Sequence, residues 1–459
     1  MLFDTDTIVA ISTPPGRGGI GVVRLSGPQA RAISEAVCRL RHPLAPGRVR
    51  IAEILDPEGR VLDEAVVTWF AAPHSYTTED VVEIACHAAP VLLDFVVRAA
   101  MAHGARLAEP GEFTQRAFLS GRLDLTQAEA VNHLIAAQTL HQARVAAAQL
   151  GGAVSHQIAP VKHRLIQLIA TLEAGIDFAE DDLELIPERE LLSTIDFIFA
   201  DLKELAGTSA YGKVLRDGFT LAIVGRPNAG KSSLFNRLLR RDRAIVTALP
   251  GTTRDPIMEH LSMGGVPVDL VDTAGLRNAP TGPEGEAETQ GILRSRERMA
   301  EADYVLLVID ATTLQPQALH PEDRATLESL NGRPHAVVLN KCDLLNEPIP
   351  CDQWDSPAIR TCATTGAGLD GLERIILNEL TGSAPGADSA IVTTLRQQQA
   401  IDEAIAAVDQ ARQAAKSSLP HEVLLMDLHS ALEALDRLTG VTTNDDILGL
   451  IFSTFCIGK

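Results

Sequence analysis

Apolar runs punctuated by polar loops dominate the middle of the chain. LAIVG (221–225), VDLVD (268–272), YVLLVID (304–310) and HAVVLN (335–340) are each short, β-branched and apolar on both faces. That pattern predicts strands buried on both sides, as in a parallel sheet. Helical stretches between them supply the crossovers such a sheet needs. The region from 218 to about 380 therefore reads as an open α/β domain.

The period changes on either side. From Leu125 to about Lys213 the chain is Ala-rich, and Leu165, Leu168, Ile169 and Leu172 fall on one helical face. The run AAAQLGGAVSHQIAPVKHRL reads as one long helical stretch, with Pro160 as a kink. After the linker-like TGSAPGADSA (381–390), helix returns at Ile391, and Leu425, Leu428, Leu432 and Leu435 mark a bundle-packing face. The simplest architecture is a helical domain (121–217 and 383–459) interrupted by an inserted α/β domain (218–382).

Residues 1–120 read as a further, α+β domain. TIVAIST, IGVVRLSG, EAVVTWF and DVVEIACH are strand-like, QARAISEAVCRL and PVLLDFVVRAAMAHG are helix-like, and Pro110-Gly111 marks a turn. Gly16, Gly18 and Gly21 satisfy G-x-G-x-x-G, but VVRLS follows them where a dinucleotide site requires a helix, so no nucleotide is expected there.

Composition narrows the function classes. A chain of 459 residues with 46% hydrophobic content can build about three cores. Its formal charge of −20 argues against gripping nucleic acid over the whole surface. The N-terminus reads as no signal peptide, and no apolar run reaches membrane-spanning length. Cys38, Cys86, Cys342, Cys351, Cys362 and Cys456 form no C-x-x-C pair, which suits a reduced, cytoplasmic protein. The acidic run from Asp177 to Glu184 reads as a solvated turn rather than a metal site.

Chemistry concentrates in four stretches. Gly225, Gly230, Lys231 and Ser232 fit G-x-x-x-x-G-K-[ST] between a strand and the helical SLFNRLL. Glycines let backbone N–H groups turn onto one anion, and the helix start adds unpaired donors. Lys231 is expected to reach the terminal phosphates and Ser232 to ligate Mg²⁺. Asp272-Thr273-Ala274-Gly275 ends one strand, where the Asp holds Mg²⁺ through water and the Gly N–H senses the terminal phosphate. Asn340-Lys341-Cys342-Asp343 ends another, and a carboxylate there accepts both edge N–H groups of guanine. Gly251-Thr252-Thr253-Arg254-Asp255 lies between, with Thr253 closing over Mg²⁺ when the terminal phosphate is present. Three motifs in this order, each at a strand's carboxyl end, point to a GTPase. The residue after DTAG is Leu276, which cannot orient a water, so either hydrolysis is slow or another polar group and another positive charge act; Glu284, Glu286 and Glu288 are the candidates for the polar group.

GRPNAGKSS, AIVTALPGTTRD, DTAGLR, NKCD, the N-terminal PPGRGGIGVVRLSG and AEPGEFTQRAFLSGRLDLTQAEA, and the terminal FCIGK together resemble the tRNA-modification GTPase family MnmE (TrmE), end to end and in order. The resemblance implies a Ras-like G domain inserted in a helical domain, and a homodimer formed through the N-terminal, folate-binding domain. It implies a GTP-hydrolysing component of a system that installs an aminomethyl or carboxymethylaminomethyl group at carbon 5 of the tRNA wobble uridine. The implied partner is the flavin-dependent MnmG, in a heterotetramer, with tRNA as substrate. A 5-formyl- or 5,10-methylene-tetrahydrofolate is the implied one-carbon donor. The acidic charge suggests that the partner carries much of the tRNA grip. A regulatory GTPase switch in ribosome or RNA-particle assembly, or a folate enzyme with a regulatory G domain, would share the central motifs; the two termini favour the tRNA reading.

The resemblance also assigns residues. The GTP site comprises Asn228, Ala229, Gly230, Lys231, Ser232 and Ser233, then Thr247, Ala248, Leu249, Pro250, Gly251, Thr252 and Thr253. It continues through Asp272, Thr273, Ala274 and Gly275 to Asn340, Lys341, Asp343, Cys362 and Ala363. Ser232 and Thr253 ligate Mg²⁺; Asn228, Thr247, Leu249 (through its carbonyl) and Thr252 ligate K⁺, which supplies the missing charge. Glu288, three residues before Gly291, orients the water, with Lys231 and Thr253 completing the catalytic set; the stretch leading to it, with TGPEG inside, is longer than the family's. Arg24, Glu83, Arg122 and Lys459 hold the folate. Thr361-Cys362-Ala363 stands where the family has Ser-Ala behind the base, a change of little expected effect. Cys456 is read as buried or pocket-lining rather than as a nucleophile or a prenylation site.

Overall fold

The computed structural model describes residues 6–177, 186–242, 258–272, 301–314, 319–345, 347, 349–351, 354–382, 391–441 and 458. These fall into two compact units, Met1–Asn132 with Asp436–Lys459, and His133–Leu435.

The first unit is built on a seven-stranded sheet of order β3-β4-β5-β6-β2-β1-β7. Its strands are β1 (Ile8–Ile11), β2 (Gly18–Ser26), β3 (Cys38–Leu40), β4 (Val49–Leu55), β5 (Val61–Phe70), β6 (Val81–Ala88) and β7 (Arg106–Leu107). Helices α1 (Ala30–Val37) and α2 (Pro90–Ala102) cover one face, burying Val23, Ile54, Val67, Ile84, Ile33 and Val96 in one core. The expected first helix ends earlier than its pattern suggests: Cys38 turns extended, and Cys38–Leu40 pairs with β4. Gly18 and Gly21 of the false fingerprint lie in β2, and a Cβ on Gly21 would lie 2.7 Å from Leu93 of α2, so glycine there serves close packing. Short helices α3 (Glu112–Leu119) and α4 (Leu125–Ala136) follow. Ser12 Oγ donates to the Gly458 carbonyl at 2.9 Å, which docks the chain's end beside β1.

The second unit joins a helical bundle to a six-stranded sheet. The bundle contains α5 (Leu140–Leu150), α6 (Ala153–Asp177), α7 (Glu188–Ala206) and α8 (Ser209–Asp217). The run expected as one helix is two, because Gly152 adopts φ 88° between α5 and α6; Pro160 lies inside α6. Leu165, Leu168, Ile169 and Leu172 are buried together along α6. Thr139 caps α5 in a capping box with Gln142.

The sheet has order β13-β12-β11-β8-β10-β9. β8 (Phe219–Val224), β10 (Val266–Asp272), β11 (Tyr304–Asp310), β12 (His335–Asn340) and β13 (Ala358–Arg360) are parallel, and β9 (Met258–Met263) pairs antiparallel with β10. Gly264 and Gly265, at φ 58° and 87°, form the two-residue turn of that hairpin. Helices α9 (Lys231–Asp242), α10 (Pro321–Ser329) and α11 (Leu369–Thr381) follow their strands, so Thr381 closes a helix rather than opening the linker.

α12 (Leu395–Lys416) and α13 (His421–Thr439) follow, the last helices among the described residues. On α13 the fully buried stripe is Leu424, Leu428, Ala431, Leu435 and Leu438, while Leu425 and Leu432 are half-buried on its flank. Ala431 and Ala434 are buried as well, so the packing face is offset from the one the leucines alone suggest. The buried Gln149 amide donates to the Ile391 carbonyl at 2.6 Å, tying α5 to the chain re-entering the bundle.

Candidate functional site

The phosphate loop leaves β8 at Gly225 and ends where α9 begins at Lys231. Gly225 has φ 144°, and a Cβ there would lie 2.2 Å from the Val308 carbonyl oxygen; the loop starts hard against β11. Asn228 adopts φ 61° and Gly230 φ 93°. The turn therefore curls back, and asparagine is among the few side chains that tolerate this backbone. Lys231 Nζ donates to the Arg226 carbonyl at 2.8 Å across the loop. Ser232 and Ser233 are exposed on the first turn of α9.

The segment Asn340–Asp343 lies beside this loop. Asn340 ends β12 and is 1% exposed. Its Nδ2 donates to the Ala229 carbonyl at 3.0 Å. Its Oδ1 accepts from the Ala363 N–H at 3.1 Å and the Thr361 hydroxyl at 3.4 Å. One amide thus fastens the phosphate loop, the strand end and the 361–363 segment together. A Cβ on Gly230 would lie 2.2 Å from that Nδ2, so only glycine leaves room for it.

Lys341 follows in left-handed conformation, φ 66°, and its Nζ lies 2.6 Å from Asp310 Oδ2 at the end of β11. Burial disfavours the Asp310 carboxylate, but Lys341 and Thr312 outweigh it and hold its pKa below the usual range. Asp343 is exposed in the 3-10 turn Cys342–Leu344. Cys362 and Ala363 are buried, and the Cys362 N–H donates to the Ala367 carbonyl at 3.0 Å.

A second cluster lies in the first unit. Arg24 on β2 faces Glu83 on β6, and its Nη2 lies 2.8 Å from Glu83 Oε1. The Arg24 guanidinium stands 5.7 Å from the ring centres of both Tyr76 and Phe113. Arg122 stacks 5.0 Å from the Tyr76 ring and donates to the Tyr76 carbonyl. Phe70, Tyr76, Glu83, Ser120 and Arg122 line a cavity of about 690 Å³. An acidic acceptor held by Arg24, the guanidinium of Arg122 and aromatic walls suit a flat heterocycle with N–H donors and an anionic tail, so the lining residues fit a folate.

Asn228, Ala229, Gly230, Lys231, Ser232, Ser233, Asn340, Lys341, Asp343, Cys362 and Ala363 thus gather at one end of the second unit's sheet, and Arg24, Glu83 and Arg122 around Tyr76. Asp272 closes β10. Thr247, Ala248, Leu249, Pro250, Gly251, Thr252, Thr253, Thr273, Ala274, Gly275, Leu276, Glu284, Glu286, Glu288, Cys456 and Lys459 lie outside the described residues, as does the acidic run beyond Asp177. Among the described residues no group of three or more His, Cys, Asp or Glu side chains is arranged to hold a metal, and no helix is long and apolar enough to cross a membrane.

Sequence reasoning missed Tyr76, Arg226, Asp310 and Asp323. The one available signal was Asp310, a carboxylate closing an apolar strand as Asp272 does.

A family model described as GTP-binding protein TrmE N-terminus matches residues 7–122, and one described as MnmE helical domain matches residues 125–456. A tRNA modification GTPase MnmE from Koribacter versatilis is 53% identical over 99% of both chains. Proteins of the same name from Heliobacterium modesticaldum and Aquifex aeolicus are 43% and 40% identical, each over 99% of this chain and 99% and 100% of their own. The solved structure of Era from Aquifex aeolicus aligns with 41% of this chain and 66% of its own, at 26% identity and a TM-score of 0.26, too low to bear on the argument.

Proposed function

The chain belongs to the MnmE family of tRNA modification GTPases, and from that premise we propose that it is the GTP-hydrolysing component of a tRNA wobble-uridine C5 modification system. It acts as a homodimer with a flavin-dependent partner of the MnmG type, in a heterotetramer, on tRNA. The observation that carries the GTPase half is the Asn340 amide, bonded to both the phosphate loop and the 361–363 segment. That linkage sets a guanine-reading carboxylate, Asp343, at a fixed remove from a loop built for phosphates.

In this reading Lys231 binds the terminal phosphates, Ser232 and Thr253 hold Mg²⁺, and Glu288 orients the attacking water. Asn228, Thr247, the Leu249 carbonyl and Thr252 hold K⁺; Asn228, exposed on the loop, supports this. The two cations supply positive charge at the transferring phosphoryl group. Thr273, Ala274 and Gly275 respond to the terminal phosphate, and Cys362 and Ala363 back the base.

Arg24, Glu83, Arg122 and Lys459 hold a tetrahydrofolate derivative, which supplies the one-carbon unit. The docking of Gly458 beside β1 supports a role for the terminal Lys459 in the first unit. The organisation is an N-terminal domain over 1–120, a helical domain over 121–217 and 383–459, and a G domain over 218–382. Val49, Ile51 and Val66, exposed on the β4–β5 face, support dimerisation through the N-terminal domain.

Steady-state GTP hydrolysis in KCl and NaCl at equal ionic strength tests the reading. Rates at least about tenfold higher in K⁺, removed by Glu288→Ala without loss of GTP binding, are expected. Equal, slow rates in both salts would reject the ion's role.

A further inference from the structure

The phosphate loop is anchored through a side chain at a position its motif leaves unspecified. Arg226 is the second residue of the loop. Its carbonyl accepts from Lys231 Nζ at 2.8 Å and from the Ala229 N–H at 3.4 Å, so the position of Arg226 sets the loop's curl. Its side chain is engaged elsewhere. Nε donates to Asp323 Oδ2 at 2.8 Å, and Nη2 donates to the Thr313 hydroxyl at 3.0 Å.

Asp323 sits in the first turn of α10 with its side chain 2% exposed. Its other oxygen is buried and has no hydrogen-bond partner among the described residues. A buried ion pair with one oxygen unsatisfied is a poor source of stability, because desolvation offsets most of the attraction. What it supplies is a fixed place for the guanidinium.

Thr313 belongs to a short turn that also serves the guanine side. Its hydroxyl donates to the Asp310 carbonyl at 2.9 Å. The Asp310 carboxylate accepts from Lys341 Nζ and from the Thr312 hydroxyl, both at 2.6 Å. The four residues 310–313 therefore hold Arg226 of the phosphate loop through one side chain and Lys341 of the base-reading loop through another.

We propose that Arg226, Asp323 and the 310–313 turn form a clamp that fixes the spacing between the phosphate loop and the guanine-reading loop, with Arg226 and Asp323 as positioning residues for the nucleotide. This rests on the GTP reading above.

The test is release of a fluorescent GDP analogue from the full-length protein by stopped flow, with thermal unfolding recorded in parallel. Asp323→Asn keeps the shape but leaves Arg226 without its counter-charge, and is expected to speed release about tenfold (about 1.4 kcal/mol). Thr313→Val removes an exposed hydroxyl that accepts from the Arg226 guanidinium and donates to the Asp310 carbonyl, so folding is not at stake, and it is expected to speed release about threefold. Arg226→Met combined with Asp323→Leu replaces the pair by apolar groups. If the pair positions the loop, this double variant unfolds at or above the wild-type temperature yet still releases GDP fast. Wild-type release rates in both the double variant and Thr313→Val would overturn the proposal. Failure of the wild-type protein to bind the analogue at all would instead refute the GTP reading.

Discussion

Replacing Asn340 by alanine perturbs three segments at once. The side chain is 1% exposed, and its loss leaves two backbone groups without partners, the Ala229 carbonyl at 3.0 Å and the Ala363 N–H at 3.1 Å. Ala229 is 2% exposed and Ala363 8%, so water replaces neither bond readily. Each buried group left unpaired costs about 1–3 kcal/mol, or about 2–6 kcal/mol together. That is a large part of the roughly 5–15 kcal/mol that holds a domain folded. The share carried by Ala229 falls on nucleotide binding, because the phosphate loop loses its tie to the base-reading strand. A penalty of about 1–3 kcal/mol there weakens GDP binding about 5- to 150-fold. Denaturant unfolding and equilibrium GDP titration of the same preparation measure the two parts. Asn340→Asp separates them. It keeps an acceptor for Ala363 but loses the donor to Ala229, so it should lose more affinity than stability. An Asn340→Ala protein that binds GDP within twofold of wild type, with an unchanged unfolding midpoint, would refute the reasoning.

Further predictions test other parts of the account. Gly230→Ala forces a Cβ to 2.2 Å from Asn340 Nδ2 at φ 93° and should abolish GDP binding in a titration while a reduced-folate titration of the same variant matches the wild type. Glu83→Gln removes the charge that fixes Arg24 at 2.8 Å; binding of a reduced folate, followed by calorimetry, should weaken by about tenfold, whereas GTP hydrolysis should not change. Burial works against the charged forms of Glu112 and Asp6, but Arg106 and Arg116 outweigh it and lower both pKa values from the ordinary 4.5 and 3.8. Carboxylates lowered in this way contribute stability that is full above their ordinary pKa and lost as pH falls through the folded value. The first unit's melting temperature should therefore hold down to about pH 4.5 and drop below it, and Glu112→Gln should lower the plateau and flatten the drop.

The parallel sheet was legible because β8, β11 and β12 are largely buried on both faces, so their runs are mostly apolar, and β10 keeps Val266, Val268, Leu270 and Val271 buried around the partly exposed Asp269. β3, β4, β9 and β13 were not. Each is short or alternates with charged residues, and pairing with a neighbour, not local pattern, makes it a strand. The Gly264-Gly265 turn was the overlooked sign of the β9–β10 hairpin. On α13 the leucine spacing suggested one face, but the buried Ala431 and Ala434 show it to be offset. At the site, the glycines, Lys231 and Asn340 could be read from spacing, since their chemistry fixes it. The bonds of Arg226 to Asp323 and of Lys341 to Asp310 span 97 and 31 residues, and nothing local marks them. The Arg24–Glu83 pair was carried by resemblance; the facing register of β2 and β6 is its physical basis.

The most direct test of the central claim is nucleoside mass spectrometry of unmodified tRNA incubated with this protein, a flavin-dependent MnmG-type partner, a reduced folate one-carbon donor and GTP in KCl. The account predicts an aminomethyl-type adduct on the wobble uridine that disappears when GTP is omitted or when Asp343→Asn replaces the wild-type chain. An adduct formed equally well without GTP, or none formed by a system whose GTP hydrolysis is active, would contradict it.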